Sequence, residues 1–189
     1  EFVKTINRQK LEMDQVNQKL ILANAELTKF AFTDQLTGAF NRRHFEEISS
    51  LEGERSKRYK QKISLLLMDI DHFKMVNDNY GHSVGDKVLI ELVRLLQRNI
   101  RSSDVLVRWG GEEFLIMAPG LSLEEAGQFA EKIREVTENQ CFLDARDLTL
   151  SIGVAEFGDS ESLDHCIKRA DTALYEAKAT GRNKVVSST

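Results

Sequence analysis

The feature that most restricts the fold of this chain is a pair of apolar runs separated by two adjacent glycines. The runs cover residues 105–107 and 114–117, and the glycines are Gly110 and Gly111. Apolar runs on both sides of a glycine-rich turn predict a β-hairpin with strands anchored in a core. Adjacent glycines can adopt positive φ and let a bulky ligand approach the backbone closely. The pattern therefore predicts a sheet with a turn that a ligand can reach.

Two carboxylates, Glu112 and Glu113, follow the glycines directly. Because side chains alternate across a strand, we expect these two to point to opposite faces, so that only one faces a given site. A glycine pair followed by two glutamates is also typical of an ordinary turn with a solvated strand start, and alone it favours that interpretation. The neighbouring motifs have to decide between the two.

The composition indicates one well-buried globular domain with an appendage. The chain has 189 residues, 41% of them hydrophobic and 30% charged, and a net charge of −4. This charge argues against nucleic acid or an anionic membrane as a partner, because both require a basic surface. Cys141 and Cys166 form no CxxC pair and no zinc set with the four histidines, so we expect free thiols in the cytoplasm.

No apolar run approaches the length of about 18 residues that a membrane span needs, and the first residues do not resemble a signal peptide. We therefore expect no membrane contact by this sequence. Because it does not begin with Met, we expect a piece of a longer protein, with room upstream for a sensor or a membrane anchor.

The N-terminal segment carries a heptad repeat of apolar residues, interrupted only at a polar glutamine. The repeat consists of Phe2, Ile6, Met13, Val16, Leu20, Ala23, Leu27 and Phe30, with Gln9 as the interruption. This spacing is typical of a coiled-coil seam. A helix of about 30 residues would extend about 45 Å, which is more than its own small domain can cover. We therefore predict a stalk helix over residues 1–32 that forms a homodimer, although an amphipathic helix folded back onto a domain at 33–189 also explains the pattern.

Helix and strand signals alternate along the rest of the chain. Predicted helices cover about residues 41–59, 84–100, 122–139 and 162–179, and predicted strands cover 63–68, 105–107, 114–117 and 148–155. Asn41 and Ser122 are the expected N-caps, the latter in a capping box with Glu125, and Gly181 is the expected C-cap. Because the hairpin makes one pair of strands antiparallel, we predict an α+β fold with a mixed central sheet flanked by helices.

The strand at 63–68 is apolar on both faces, so it is expected at the centre of the sheet, and it ends in Asp69-Ile70-Asp71. A rigid carboxylate at a strand end is a good magnesium ligand, because magnesium prefers oxygen donors and keeps other positions for water and phosphates. If the hairpin lies beside this strand, Asp69 and Glu112 form a hard-metal site. Alternatively, Asp69 and Asp71 cap the helical turn that follows, and alone the two interpretations are equally good.

Groups that suit phosphates occur in two places. The backbone amides of His72 and Phe73 begin a helical turn, and with Lys74 they suit a triphosphate. Lys178 and Arg182 near the end of the chain can also reach phosphates. The simpler roles are a solvent-facing charge for Lys74 and, for the other two cations, a basic last turn that complements the helix dipole.

Asn77 and Asp86 together offer an amide and a carboxylate. These groups complement the edge of a guanine, whose N1 and N2 donate hydrogen bonds while O6 and N7 accept them. Their simpler roles are a turn residue for Asn77 and a helix cap for Asp86.

Together these segments resemble the GGDEF family of diguanylate cyclases. The resemblance covers roughly residues 33–186 and rests on Asp34-Gln35-Leu36-Thr37, Asn41-Arg42-Arg43, the stretch 69–86, Gly110-Gly111-Glu112-Glu113-Phe114, the stretch 151–155 and the stretch 170–183. The signature is GGEEF, which the family accepts as an active form in place of GGDEF. The resemblance implies a fold like that of nucleotide-cyclase cores and polymerase palms. It also implies condensation of two GTP molecules into cyclic di-GMP with release of two pyrophosphates.

The resemblance further implies roles for individual residues. Glu112 and Glu113 would be catalytic, with Glu112 accepting the proton of the attacking 3′-hydroxyl and Glu113 near the metals. Asp69, Glu112 and the backbone carbonyl of Ile70 would bind magnesium, or manganese in its place, with two ions in each half-site. The substrate-binding residues would be Phe73, Lys74, Asn77, His82, Asp86, Lys178 and Arg182. Of these, Asn77 and Asp86 would read guanine, His82 would lie in the pocket, and the others would contact phosphates.

One half-site holds one GTP, so two domains must face each other for each 3′-hydroxyl to attack the other GTP. The heptad helix would bring two copies together with the twofold symmetry of the product. An upstream sensor would then act by changing the pairing or rotation of this stalk.

Arg101-Ser102-Ser103-Asp104 lies at the spacing where family members carry an inhibitory RxxD site. Arg101 and Asp104 would bind cyclic di-GMP through guanine edges and phosphates, which gives product inhibition. Lys132 stands where many members carry an arginine that completes this site. The simpler interpretation of the RxxD motif is a surface ion pair.

Two other classes of function remain as alternatives. The first is a catalytically silent GGDEF module that binds GTP or cyclic di-GMP and signals through contacts. The second is a coiled-coil assembly protein with an incidental globular head, which leaves the polar cluster at 69–86 without a purpose. The signature glutamates and Asp69 are all present, so the sequence favours the enzyme.

Overall fold

A six-stranded mixed sheet forms the centre of the protein. The computed structural model describes residues 2–142, 148–158 and 161–188. The strands are β1 (Phe40–Asn41), β2 (Ile63–Ile70), β3 (Val105–Gly110), β4 (Glu113–Pro119), β5 (Leu150–Glu156) and β6 (Val185–Ser188), in the order β1-β3-β4-β2-β5-β6. The four central strands are antiparallel, whereas β1 and β6 pair parallel to their neighbours at the edges. The predicted α+β fold with a mixed sheet is confirmed.

Six helices accompany the sheet in the described part of the chain. They are α1 (Phe2–Phe32), α2 (Arg42–Tyr59), α3 (Phe73–Tyr80), α4 (His82–Asn99), α5 (Leu123–Glu138) and α6 (Leu163–Ala179). The side chain of Asn41 accepts the His44 backbone N–H at 3.0 Å, and Ser122 forms its capping box with Glu125. Gly181 follows α6 with φ +118°. The predicted N-caps are therefore confirmed, whereas the C-cap of α6 is Thr180 and Gly181 is the residue after it.

The two faces of β2 belong to two separate parts of the core. Leu66, Met68 and Ile70 pack into the cluster that contains the buried side chains of α4 and α5. Leu65 and Leu67 pack into the cluster that contains Phe45 of α2 and the buried side chains of α6. Because side chains alternate along a strand, Asp69 is expected on the same face as Leu65 and Leu67, toward α6.

Helix α1 extends from the domain with its apolar face uncovered. The heptad side chains Phe2, Met13, Val16, Leu20, Leu27 and Phe30 are 59–79% exposed and Ala23 is exposed too, whereas the side chain of Ile6 lies outside the described residues. The alternative of a helix folded back onto the domain is therefore wrong. No helix in the described ranges combines the length and the apolar character that crossing a membrane requires. Cys141 is exposed, Cys166 is buried, and both are free thiols.

Candidate active site

The turn between β3 and β4 carries the signature glycines and glutamates. Gly110 is the last residue of β3 and pairs with Glu113, and the register shifts between Arg108 and Gly110. Gly111 lies in the turn with φ +30°, whereas Gly110 does not have a positive φ. The sequence predicted a glycine turn, but only one of the two glycines uses the conformational freedom that this residue type provides.

Glu112 and Glu113 differ in backbone setting. Glu113 lies in β4 and pairs directly with Asp69 of β2, so the two side chains are expected on the same face of the sheet. Glu112 lies in the turn, where its carbonyl oxygen accepts the Ile70 N–H at 3.4 Å. Strand alternation therefore does not govern this pair. Both carboxylates are near enough to Asp69 to influence its ionisation.

Asp69 lies at the centre of this group of charges and is only 7% exposed. Its Oδ2 atom lies 2.8 Å from the Nζ atom of Lys178, in the last turn of α6. Burial raises the pKa of Asp69 to about 6, because the opposing effect of Lys178 is outweighed and the negative charges of Glu112 and Glu113 add to the increase. The local charge is therefore more negative than one lysine balances.

Asp71 has a structural role at the same end of β2. Its carboxylate accepts hydrogen bonds from the hydroxyls of Thr149 (2.8 Å) and Ser151 (2.7 Å) and from the Asn183 backbone N–H (3.0 Å). Helix α3 has His72 at its N-cap, with φ +57° and no side-chain cap. The alternative in which strand-end aspartates cap α3 is therefore wrong. Asp71 instead fastens β2 to β5 and to the loop that follows α6.

The residues predicted to contact phosphates lie on two segments that Asp71 links together. Phe73 is buried at the start of α3, two residues after Asp71, and Lys74 is exposed beside it. Arg182 is exposed in the loop after α6, next to the Asn183 amide that Asp71 binds, and its own N–H donates to the Ala177 carbonyl at 3.0 Å. Lys178, the fourth of these residues, lies on Asp69 rather than in solvent.

Asn77 and Asp86 come together where α3 meets α4. Gly85 is buried under the Asn77 side chain, so closely that a Cβ atom on Gly85 would lie 2.0 Å from Asn77 Oδ1. The next residue, Asp86, is exposed. Across residues 2–142, 148–158 and 161–188, no group donates a hydrogen bond to its carboxylate. The N-cap of α4 is Gly81, so the helix-cap alternative for Asp86 is wrong. His82 is exposed at the start of the same helix.

Replacing Gly85 with alanine is expected to weaken GTP binding by about tenfold or more while the fold is kept. The added methyl group displaces the Asn77 amide, which is the end of a flexible side chain, and it lies 3.2 Å from the edge of the Phe73 ring, which has to shift by only a few tenths of an ångström. Calorimetric titration with GTP measures this loss, and the matched control is Gly53→Ala, whose Cβ meets only the Phe157 ring at 3.8 Å. Unchanged affinity in Gly85→Ala would contradict a role for Asn77 in base recognition.

The donor set at Asp69 fits a hard divalent cation. Among the residues that the structure describes, no three or more His, Cys, Asp or Glu side chains are arranged to hold a metal. Magnesium is commonly bound by only one or two carboxylates, with water and substrate phosphates at its other positions. The buried Asp69 carboxylate, its elevated pKa and the two neighbouring glutamates are consistent with that type of site.

The RxxD motif forms a closed turn before β3 rather than a surface ion pair. The buried Asp104 carboxylate accepts the Arg101 backbone N–H at 2.8 Å, and the Asp104 N–H donates to the Arg101 carbonyl at 3.1 Å. Within the described part of the chain, the exposed Arg101 guanidinium makes no ion pair with Asp104. The ion-pair alternative is therefore wrong, and the guanidinium of Arg101 remains accessible.

Three residues in or near this site have roles that the sequence did not predict. Gly85 makes room for Asn77, Asp71 fastens three segments, and Arg108 contacts both the signature turn and Asp34, in the turn that follows α1. Arg108 has the clearest sequence signal of the three, because it is a cation in an otherwise apolar strand, two residues before the glycine pair. The other two depend on contacts between segments that the chain order does not reveal.

Comparisons with known proteins show the family to which this chain belongs. The family described as "Diguanylate cyclase, GGDEF domain" matches residues 31–184. The diguanylate cyclase DgcM of Escherichia coli K12 is 43% identical over 162 residues, which is 86% of this chain. The chain spans 40% of the length of DgcM.

Two solved structures are similar over most of the fold. The coiled coil and GGDEF domain of DgcB from Caulobacter crescentus, in complex with c-di-GMP, has a TM-score of 0.89 and 28% identity, covering 97% of this chain and 99% of that chain. The active GGEEF domain of a diguanylate cyclase from Vibrio cholerae has a TM-score of 0.75 and 34% identity, covering 82% of this chain and 99% of that chain. This chain belongs to the diguanylate cyclase GGDEF domain family.

Proposed function

We propose that this chain condenses two GTP molecules into cyclic di-GMP and releases two pyrophosphates. The observation that carries the proposal is the convergence of Asp69, Glu112 and Glu113 at the end of β2, beside Lys178. An incidental head on an assembly protein has no use for a buried carboxylate that has two further carboxylates and only one lysine beside it, because burying uncompensated charge is costly unless a cation binds there. Family membership with named diguanylate cyclases supports the same conclusion.

In this proposal Glu112 accepts the proton of the attacking 3′-hydroxyl, and Glu113 lies near the metals. Asp69, Glu112 and the Ile70 carbonyl would hold two magnesium or manganese ions in each half-site. Such ions would lower the pKa of the hydroxyl and neutralise charge on the leaving pyrophosphate. Lys178, which lies on Asp69 in this structure, binds a phosphate of the substrate in this proposal.

Residues on α3, α4 and the loop after α6 orient the substrate in this proposal. Asn77 and Asp86 bind the guanine edge, with His82 in the same pocket. Phe73 and Lys74 at the start of α3, together with Arg182, bind the triphosphate. The proposal is supported by Gly85, which brings the Asn77 amide next to Asp86, and by Asp71, which links the segments of Phe73 and Arg182.

The proposed active form is a homodimer located in the cytoplasm. Each chain consists of two units, a stalk at residues 1–32 and a cyclase domain at residues 33–189. The exposed apolar face of α1 supports pairing with a second copy, because the heptad side chains that the structure describes are exposed to solvent. Twofold pairing places two half-sites face to face. Each 3′-hydroxyl can then attack the other GTP.

Product inhibition at Arg101 and Asp104 is part of the proposal. The turn already holds Asp104 against the Arg101 backbone, which leaves the guanidinium directed outward and available to a phosphate or a guanine edge. Lys132 is exposed on α5, where it supplies a charge but not the two-pronged hydrogen bonding of an arginine.

The test is incubation of the chain with GTP and magnesium chloride, followed by chromatography and a pyrophosphate assay. We expect cyclic di-GMP with two pyrophosphates for each product molecule, formed at a rate per chain that falls on dilution because two copies must meet. GTP binding without any product would overturn the proposal in favour of the silent module. A rate per chain that is independent of dilution after removal of residues 1–30 would overturn the role of the stalk.

A further inference from the structure

Arg108 is the last regular residue of β3 before the signature turn, and each of its three guanidinium nitrogens donates a hydrogen bond. Its Nε and Nη2 atoms donate to the Gly111 carbonyl oxygen at 3.0 and 2.7 Å, and Nη1 donates to Asp34 Oδ1 at 2.9 Å. The side chain is only 16% exposed. Hydrogen bonds from a cation in such a setting are stronger than neutral ones, and the planar arginine fork fixes direction as well as distance.

The Gly111 carbonyl belongs to the peptide group that connects Gly111 to Glu112. Two donors on one carbonyl oxygen therefore fix the plane of the peptide from which Glu112 begins. Gly111 has a positive φ and no side chain, so this backbone has little to hold it otherwise. Within the described ranges, the turn residue Glu112 also accepts the Ile70 N–H of β2 through its carbonyl oxygen, in a long hydrogen bond of 3.4 Å.

Asp34, the other partner of Arg108, lies in the turn that follows α1. Its Oδ1 atom also accepts the N–H and the hydroxyl of Thr37, at 2.9 and 2.7 Å. The backbone N–H of Asp34 donates to the Ala39 carbonyl at 2.8 Å, so the turn is closed on both sides. Asp34 is thus a fixed anchor rather than a mobile counterion.

The same turn is fastened to the end of α1. The Asn41 amide, which caps α2 with its oxygen, donates through Nδ2 to the Ala31 carbonyl at 2.8 Å. The Thr33 N–H donates to the Lys29 carbonyl at 2.9 Å. A continuous set of hydrogen bonds therefore leads from the last turn of α1 through Asp34 and Arg108 to the peptide before Glu112.

We propose that Arg108 is a positioning residue that holds the signature turn in its working geometry and ties that geometry to the end of α1 through Asp34. This inference rests on the proposed function only for its effect on rate, because the contacts themselves belong to the fold. Arg108 acts through the Gly111 carbonyl and not on the substrate. Its loss therefore misplaces Glu112 without removing any group that binds GTP.

The first test compares Arg108→Gln, Asp34→Asn and the double variant in cyclic di-GMP formation. We expect kcat to fall about tenfold to a hundredfold in each single variant, with the KM for GTP within about threefold, since small misplacements mainly affect the transition state. The double variant should be no slower than the slower single variant, because the two residues act as a unit. Arg108→Lys, which keeps the charge but not the fork, should lie between wild type and Arg108→Gln.

The matched control is Arg43→Gln, which removes an arginine whose side chain is 71% exposed and whose closest acidic partner is Glu47 at 3.9 Å. It should keep wild-type kcat and KM. A kcat for Arg108→Gln within twofold of wild type would overturn the proposal. A normal kcat for Asp34→Asn, or a double variant whose losses multiply, would overturn the link to α1.

The second test does not depend on activity and separates this inference from the proposed function. Amide hydrogen exchange of the full chain should be about tenfold faster in the peptide that covers 110–113, and at Ile70, in Arg108→Gln and Asp34→Asn but not in Arg43→Gln. If wild type forms no cyclic di-GMP, the proposed function fails while this measurement still decides the positioning role. Unchanged exchange at these amides in Arg108→Gln would refute it.

Discussion

Replacing Glu112 with glutamine is expected to lower kcat for cyclic di-GMP formation by on the order of a thousandfold. The substitution keeps the size of the side chain but removes both a negative charge beside Asp69 and the acceptor for the 3′-hydroxyl proton. GTP should still bind, because Asn77, Asp86, Lys74 and Arg182 are untouched. Chromatography of the product measures the rate, and calorimetric titration measures the affinity.

The control for Glu112→Gln is Glu124→Gln, which removes an exposed carboxylate in the first turn of α5. It should leave both rate and affinity as in wild type. Glu112→Gln also removes one of the negative charges that raise the pKa of Asp69, so the pKa of Asp69 should fall. A Glu112→Gln variant with a rate within tenfold of wild type would exclude Glu112 as the proton acceptor.

Replacing Gly153 with alanine is expected to lower the free energy of unfolding by about 3 kcal/mol or more. Gly153 lies in the middle of β5, where α6 crosses so closely that a Cβ atom would lie 2.1 Å from the Ala170 carbonyl oxygen and 2.4 Å from the Leu174 nitrogen. These are backbone atoms of a helix, so they can move only if α6 as a whole moves. The expected decrease in melting temperature is about 6–12 °C.

Gly53→Ala is the matched control for this stability measurement. Gly53 lies inside α2, its Cβ would meet only ordinary contacts with the Phe157 ring, and alanine is the better helix former by about 1 kcal/mol. The control should therefore melt at the wild-type temperature or slightly above it. If Gly153→Ala were equally stable, α6 would not be seated on β5 as described, and the position of Lys178 on Asp69 would lose its basis.

The elements with strong periodic or local signals were predictable from the sequence. An eight-residue strand that is buried throughout leaves a continuous apolar run, and helix caps depend on side chains within four residues of each other. The edge strands β1 and β6 were not predicted, because two and four residues are too few to show a period. Helix α3 was expected only as a turn, because it is short, half of its eight residues are polar, and it has no side-chain N-cap.

The candidate site also has a part that the sequence predicted and a part that it did not. Its residue types were recognisable, because Asp69 ends an apolar run and Glu112 follows a glycine pair. The pairing of Asp69 with Glu113 requires the register between β2 and β4, which no local pattern specifies. The expected alternation of Glu112 and Glu113 did not apply, since the turn includes Glu112 and β4 starts one residue later.

The sequence by itself determined the order of the long helices and of the four central strands, the burial of β2 and the groups available for chemistry, because these depend on the periodicity of neighbouring residues. Only the tertiary structure decided that Lys178 balances Asp69, that Asp71 fastens three segments, and that Arg108 joins Asp34 to the Gly111 carbonyl. These contacts connect residues far apart in the chain. They exist because strand register and the close packing of α6 on Gly153 bring those segments within hydrogen-bonding distance.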